Sequence, residues 1–391
     1  MMRNVRNGWA VLALAVAGGA ALGSAARADV ILSANDGHTV LGADGQLVAP
    51  AQPKPDTISV IDVSGATQRI TATIDVPGSV VGPPTAIWVA PDESWAIATS
   101  ATKADPAGKN GISLDDRVSV LDLTVMPPRI VQSLTAGLGA TTVRVSPDGQ
   151  IALIVNRMAG TLSIYTVRDK RLTPAGTFDL GNKAALPSGL AFLHDGKTAL
   201  LSRYGDNMVN VLHIDGTHIT IDKRPITTGV GPYTLDINAA GTLAAVSNMG
   251  RGDGDVDSVS LIDLTQSPPR TVDTAGVPSG PEPLKFSPDG AYLAVGAQMG
   301  SNKPPGDPFH HDHGVVTMFA VAGTHLRQVA QAPVGPWAEG AAFSRDGHTL
   351  LIQNMGDDTI SVLHWDGHRL TPAAPLTIEG GGPETFGQAW P

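Results

Sequence analysis

The sequence contains no cysteine. That excludes a disulfide framework, a thiolate nucleophile and any cysteine-ligated metal. Basic side chains are also few: 26 Lys and Arg stand against 36 Asp and Glu, for a formal charge of −10. They gather into no basic stripe, so nucleic acid is excluded as a partner. No G-x-S-x-G, H-E-x-x-H, P-loop or C-x-x-C-H occurs, which removes serine-hydrolase, zincin, nucleotide and c-type haem readings. Beyond the N-terminus no apolar run is long enough to span a bilayer. What the 391 residues do have is 42% hydrophobic content, with 45 Gly and 30 Pro that follow no three-residue period. Those figures exclude both intrinsic disorder and a collagen-like chain, and allow a large core.

The first 28 residues read as an address. Arg3 and Arg6 precede an apolar stretch from Trp9 to Leu22, and Ala26-Arg27-Ala28 supplies an A-x-A cleavage pattern before Asp29. This is the order of a secretory signal peptide, and it predicts a periplasmic or secreted protein with no membrane span after cleavage. The mature chain, residues 29–391, would carry 23 basic and 36 acidic side chains. Without disulfides, an exported chain of this size needs a fold that buries much surface and leaves few free sheet edges.

The mature chain repeats. An apolar strand, a turn and a second apolar strand recur as VRVSPDGQIALIVN (143–156), LAFLHDGKTALLSR (190–203), LDINAAGTLAAVSN (235–248), LKFSPDGAYLAVGA (284–297) and AAFSRDGHTLLIQN (341–354), with IWVAPDESWAIATS (87–100) as a degenerate copy. The turn glycines, from Gly149 to Gly347, lie 45 to 57 residues apart. Gly between alternating apolar runs marks a hairpin, because it accepts the positive φ of such turns. A second pair of strands follows each first pair, for example TLSIYTVRDKRLTPAG and TISVLHWDGHRLTPA. Four short strands per unit at this period make one propeller blade. Two β-sandwiches would not account for one motif recurring along the whole chain. Six units are complete; the N-terminal remnant lacks a first strand, and GGPETFGQAWP (381–391) is an orphan first strand. The expected fold is therefore all-β, a seven-bladed propeller of four-stranded blades, its ring closed by the C-terminal strand joining the N-terminal blade.

The pairing of SPDG-type turns with an "Asn, short turn, strand, Val-Leu-Asp" continuation resembles the YVTN-type and lactonase-like seven-bladed propellers over essentially the whole mature chain. That superfamily includes propeller-type 6-phosphogluconolactonase, the carboxymuconate-cyclising enzymes and the large subunits of quinoprotein amine dehydrogenases. The resemblance implies the fold and a ligand site at the channel mouth. The cyclising relatives use His, Arg and Glu around the channel; here the aligned positions supply Glu and Arg, and no His.

By alignment of the blades, the first strands present Thr85, Thr141, Ser188, Tyr233, Glu282 and Glu339 to the channel, with Glu384 or Thr385 in the closing strand. Crowded carboxylates raise one another's pKa, which makes Glu282 and Glu339 the candidate acid–base pair. Second strands end at the same face, and there Arg157, Arg203, Asn248 and Asn354 are candidates for holding an anionic substrate. Three long insertions, 103–116, 251–257 and 301–314, should surround that mouth. The last holds His310, His311 and His313, imidazoles dense enough to suggest a divalent metal, the one cofactor the residues point to. The expected function is binding of a small anionic or sugar-acid ligand at the loop-rich mouth, with hydrolysis or isomerisation of a lactone. The chain is expected to be a monomer. The alternative function is a non-catalytic module or partner subunit for a periplasmic protein, such as a quinoprotein-type redox system.

Overall fold

The computed structural model describes Met1 and residues 29–389, so the rest of the expected leader lies outside the described residues. Seven blades surround a central channel. Their first strands are Ile87–Val89, Ala140–Val145, Pro187–Phe192, Pro232–Ile237, Pro281–Phe286, Ala338–Phe343 and Gly382–Gln388. In two blades the outer strand is broken into two short pieces, both paired to the third strand. The closing blade runs in the order Gly382–Gln388, Val30–Asp36, Thr57–Asp62, Arg69–Asp75. The two ends of the described chain thus share one sheet, Ile31 opposite Gln388 and Asp36 opposite Gly382, and the strand that would otherwise present an open edge is paired.

The recurring turns form for local reasons. In three copies a serine hydroxyl donates to the turn aspartate, Ser146 to Asp148 at 2.5 Å, Ser287 to Asp289 at 2.6 Å and Ser344 to Asp346 at 2.6 Å. The same serine oxygen then accepts the amide that starts the next strand, as from Ile151 at 3.0 Å. The glycine that follows sits at φ 72° in Gly149 and 74° in Gly347, a conformation that costs most other residues a clash. Between the turns, alternating apolar side chains fill the spaces between neighbouring blades. One cluster joins Ile97 and Val120 to Val143 and Ile154 of the next blade, and another joins Ile31 and Phe386 to Leu351 and Ile360 across the closure. The core is a ring of such layers, so removing one blade exposes two.

Two short hairpins cover one end of the channel. Val40–Leu41 pairs with Leu47–Val48, and Thr102–Ala104 pairs with Ile112–Leu114. Asn110 ties them: its carbonyl accepts the Ala49 amide at 2.8 Å, and its side chain donates to the Leu47 carbonyl at 3.1 Å. Leu41 and Leu47 pack on buried Val80, Trp337 and Met355. The first strands begin under this roof.

Candidate functional site

Five first strands share a numbering that reveals the site. Their second residues are Thr141, Ser188, Tyr233, Glu282 and Glu339, all buried. Glu384 adds a further buried carboxyl on the closing blade, whereas the predicted Thr85 lies deeper, its Oγ1 2.6 Å from Thr142 Oγ1. Each of the five strands has a register shift within its first four residues. Such bulges unpair a residue and re-aim its side chain, here beside the channel mouth.

Glu282 and Glu339 lie on adjacent blades and share a hydrogen bond. Burial pushes Glu282 up to about 8, although the Arg157 charge and hydrogen bonds from Glu339 and the Gln298 amide pull the other way. Glu339 stands well above the usual carboxylate range, through burial and then the charges of Glu282 and Glu384. The Trp337 side chain hydrogen-bonds to it, and its Oε2 has no partner among the described residues. Both carboxyls therefore keep their protons more tightly than an ordinary carboxylate, Glu282 up to about 8 and Glu339 beyond the usual range.

Glu384 extends the arc onto the closing blade. Its Oε1 accepts the Ser79 amide at 2.8 Å, and its Oε2 has no partner among the described residues. Burial raises its pKa, helped by the charges of Asp36 and Asp56. Beside it stands a histidine that the aligned repeats do not announce. Nδ1 of buried His38 lies 2.6 Å from Asp56 Oδ1 and 3.0 Å from Asp36 Oδ1, and Nε2 lies 3.1 Å from Thr102 Oγ1. Burial alone would favour the neutral ring, but hydrogen bonds to both aspartates hold its pKa at about 10. The expectation of a mouth without histidine is corrected here: His38 enters from the segment between the second and third strands of the closing blade. Among the described residues, Asp36, His38 and Asp56 are the group whose ligand atoms converge closely enough to hold a metal ion, all within 4.8 Å of one another.

The other predicted residues separate into two kinds. The Arg157 guanidinium lies 4.9 Å from the Tyr204 ring centroid and 5.2 Å from that of Tyr233, and it donates to Ser188 Oγ and to the Leu186 carbonyl. Its charge reaches Glu282. Arg203 turns away, donating to Asp206 and to Asn210 Oδ1. Asn248 and Asn354 serve their own blades. Nδ2 of Asn248 donates to Ser258 and Ser260, and Nδ2 of Asn354 to Thr359 and Ser361, all at 2.9 to 3.0 Å. Asn35 and Asn156 make the same bracket between second and third strands. A glycine lies against these amides; a Cβ on Gly229 or Gly335 would sit within 2.7 Å of the Asn248 or Asn354 side chain. In the histidine loop, His310 is folded back, Nδ1 lying 2.8 Å from the Lys303 carbonyl. His311 and His313 are exposed, and among the described residues they do not join His310 in a ligand set.

The insertions 251–257 and 301–314 do meet at the mouth. With Tyr204 and Gln298 they enclose a groove of about 460 Å³, to which Arg251, Lys303, His311 and Asp255 contribute. Arg251 stacks on Tyr204 at 5.4 Å. Lys303 is paired with Asp307 at 3.8 Å, and Asp253 and Asp257 share the insertion of Arg251, so Arg251, held over the Tyr204 ring, is the cation the groove offers to a ligand. Gln298, in the groove lining, is the residue that hydrogen-bonds Glu282.

The sequence matches no protein-family model and no curated protein. Solved structures share its fold. The "putative 6-phosphogluconolactonase" of Bacteroides uniformis superposes with a TM-score of 0.70 at 16% identity, covering 92% of this chain and 98% of that one. The periplasmic gluconolactonase PpgL of Pseudomonas aeruginosa gives 0.66 at 17% identity, covering 91% and 98%. Hydrazine synthase of Kuenenia stuttgartiensis gives 0.59 at 21% identity, covering 77% and 81%. At these identities the likeness is one of fold. Among the described residues no helix is long and apolar enough to cross a membrane.

Proposed function

We propose that this chain is an exported propeller that binds a small sugar-acid ligand at the roofed mouth and opens a lactone ring there. The observation that carries the reading is the pair of buried carboxyls Glu282 and Glu339 on adjacent blades, both raised by burial, beside Arg157 and beneath the groove that holds Arg251. Glu282 takes a proton from water as the water oxygen bonds to the lactone carbonyl carbon. Arg157 stabilises the oxygen on which negative charge develops, and Glu339 delivers its proton to the ring oxygen as the carbon–oxygen bond breaks. The acid–base pair needs both protonation states at working pH, and these coexist near pH 8, where Glu282 loses its proton and Glu339 keeps its own. The lactonase names of two neighbours agree with this chemistry.

One observation favours a second reading. Glu282 and Glu339 are only 3% and 2% exposed, so the groove above them would serve equally as a non-catalytic site for a periplasmic partner. Proton release by the mature protein on a panel of aldonolactones separates the two, run beside Glu282→Gln/Glu339→Gln and with and without chelator. Turnover that disappears in the double variant is expected. A chelator-sensitive rate would move the attack to a cation held by Asp36, His38 and Asp56. No turnover above the uncatalysed rate would end the enzyme reading.

A further inference from the structure

The opposite end of the channel is a separate cavity of about 1030 Å³, lined by all seven blades. It is large enough for a small organic ligand. Its inner charges come from the fifth residues of the same first strands, which here read Arg144, Ala191, Asp236, Lys285 and Ala342. Lys285 Nζ lies 3.1 Å from Asp236 Oδ1, and Asp236 Oδ2 also accepts the Phe286 amide at 2.9 Å. Arg144 has no such partner. Its Nη1 donates to two backbone carbonyls, of Val143 at 2.7 Å and Thr85 at 3.1 Å. Among the described residues no carboxylate lies within ion-pair distance of it, and its Nε and Nη2 hydrogens find no acceptor. Burial lowers its pKa to about 10, and the charge of Asp236, already engaged by Lys285, offsets only part of that.

Of the charges in the lining, Asp92, Arg168, Asp169 and Lys170 are exposed; the two cations Arg144 and Lys285 and the anion Asp236 face each other inside, and Trp88, Phe192 and Phe386 supply apolar wall around them. We infer that this cavity is a second ligand site, for a small organic carboxylate whose apolar body rests on Trp88 and Phe386 while its carboxylate engages Arg144. A planar fork with free N–H groups matches a carboxylate bidentately, and a net single positive charge matches a monoanion. The site is independent of the chemistry at the mouth.

Calorimetric titration of the mature protein with 2-naphthoate and with its neutral counterpart 2-naphthylmethanol tests this. One molecule of naphthoate should bind, about tenfold or more tighter than the alcohol, the difference expected of a charge-assisted hydrogen bond. Arg144→Met should bring naphthoate down to the affinity of the alcohol, Arg144→Lys should recover part of the loss, and Glu282→Gln should leave binding unchanged. Equal affinity of acid and alcohol for the unaltered protein would overturn the proposal without need of any variant. So would absence of binding, full affinity in a folded Arg144→Met protein, or loss of binding in Glu282→Gln, which would place the ligand at the mouth.

Discussion

The same seven first strands build two unlike ends of one channel. At their starts the polar residues are hydroxyls and three carboxylates, sealed beneath hairpin 40–48 and Trp337. Toward their ends the polar residues are Arg144, Lys285 and Asp236 in a largely apolar cavity. Both ends desolvate charge, with opposite consequences. Dehydrated carboxylates that crowd together keep protons and gain acid–base capacity, whereas a dehydrated guanidinium cannot shed its charge at neutral pH and instead creates a demand for an anion. Position along a strand, rather than the strand itself, decides which chemistry the channel offers.

The sharpest way to break this comparison is to remove the protons from one end only. Glu282→Gln/Glu339→Gln should lower lactone turnover by about 10²–10⁴-fold, the usual share of general acid–base catalysis, while Arg144→Met leaves it within about twofold. Equal losses in an initial-rate assay would mean the two ends are not separate.

A second test uses stability. Glu282, raised from 4.5 to about 8, and His38, raised from 6.5 to about 10, both bind their protons more tightly in the folded chain. Their contribution is therefore complete below the unfolded pKa and is lost as pH rises through the folded one. Unfolding free energy should fall by about 1.4 kcal/mol per pH unit for each such proton, between pH 4.5 and 8 for Glu282 and between 6.5 and 10 for His38. Denaturant melts at stepped pH check this, and the double Gln variant should flatten the lower part of the slope. A slope that is the same in the variant would show the pair to be ionised already.

Unroofing the mouth should give a smaller effect. Leu41→Ser/Leu47→Ser removes half-buried apolar contacts worth about 1–2 kcal/mol each and lets water reach Trp337 and Glu339. The pH profile of stability should then shift toward that of ordinary carboxylates. The smallest change is expected from Arg203→Ala, because Arg203 is already held by Asp206 and Asn210; turnover should stay within about twofold, against a loss of about tenfold or more for Arg157→Ala. An equal loss in both variants would return Arg203 to the site.

What is legible in the sequence follows from what repeats. Turn serines, aspartates and glycines recur because every blade closes the same hairpin, so blade number and the shared closing sheet can be read directly. Glu282, Glu339 and Glu384 stand out because they depart from their aligned positions, where other blades carry hydroxyls or tyrosine. Asn248 and Asn354 show the reverse. They recur with Asn35 and Asn156, and recurrence in four blades marks a bracket between second and third strands. The insertions that carry Arg251 and Lys303 can be placed at the mouth by their position between second and third strands, but what their side chains and His38 touch has no counterpart in other blades to read it from. Arg144 is hidden for another reason: its meaning depends on having no carboxylate at ion-pair distance, and only the three-dimensional arrangement of the described residues shows that.

The central claim is that the mouth keeps a protonated carboxylic acid at neutral pH. Infrared difference spectroscopy of the protein against Glu282→Gln/Glu339→Gln tests it most directly. A carbonyl stretch of protonated carboxyl at pH 7, present in the unaltered protein, absent from the variant and weakening as Glu282 gives up its proton past about pH 8, is the predicted result. A spectrum at pH 7 with only ionised carboxylate bands, unchanged by the two substitutions, would contradict it.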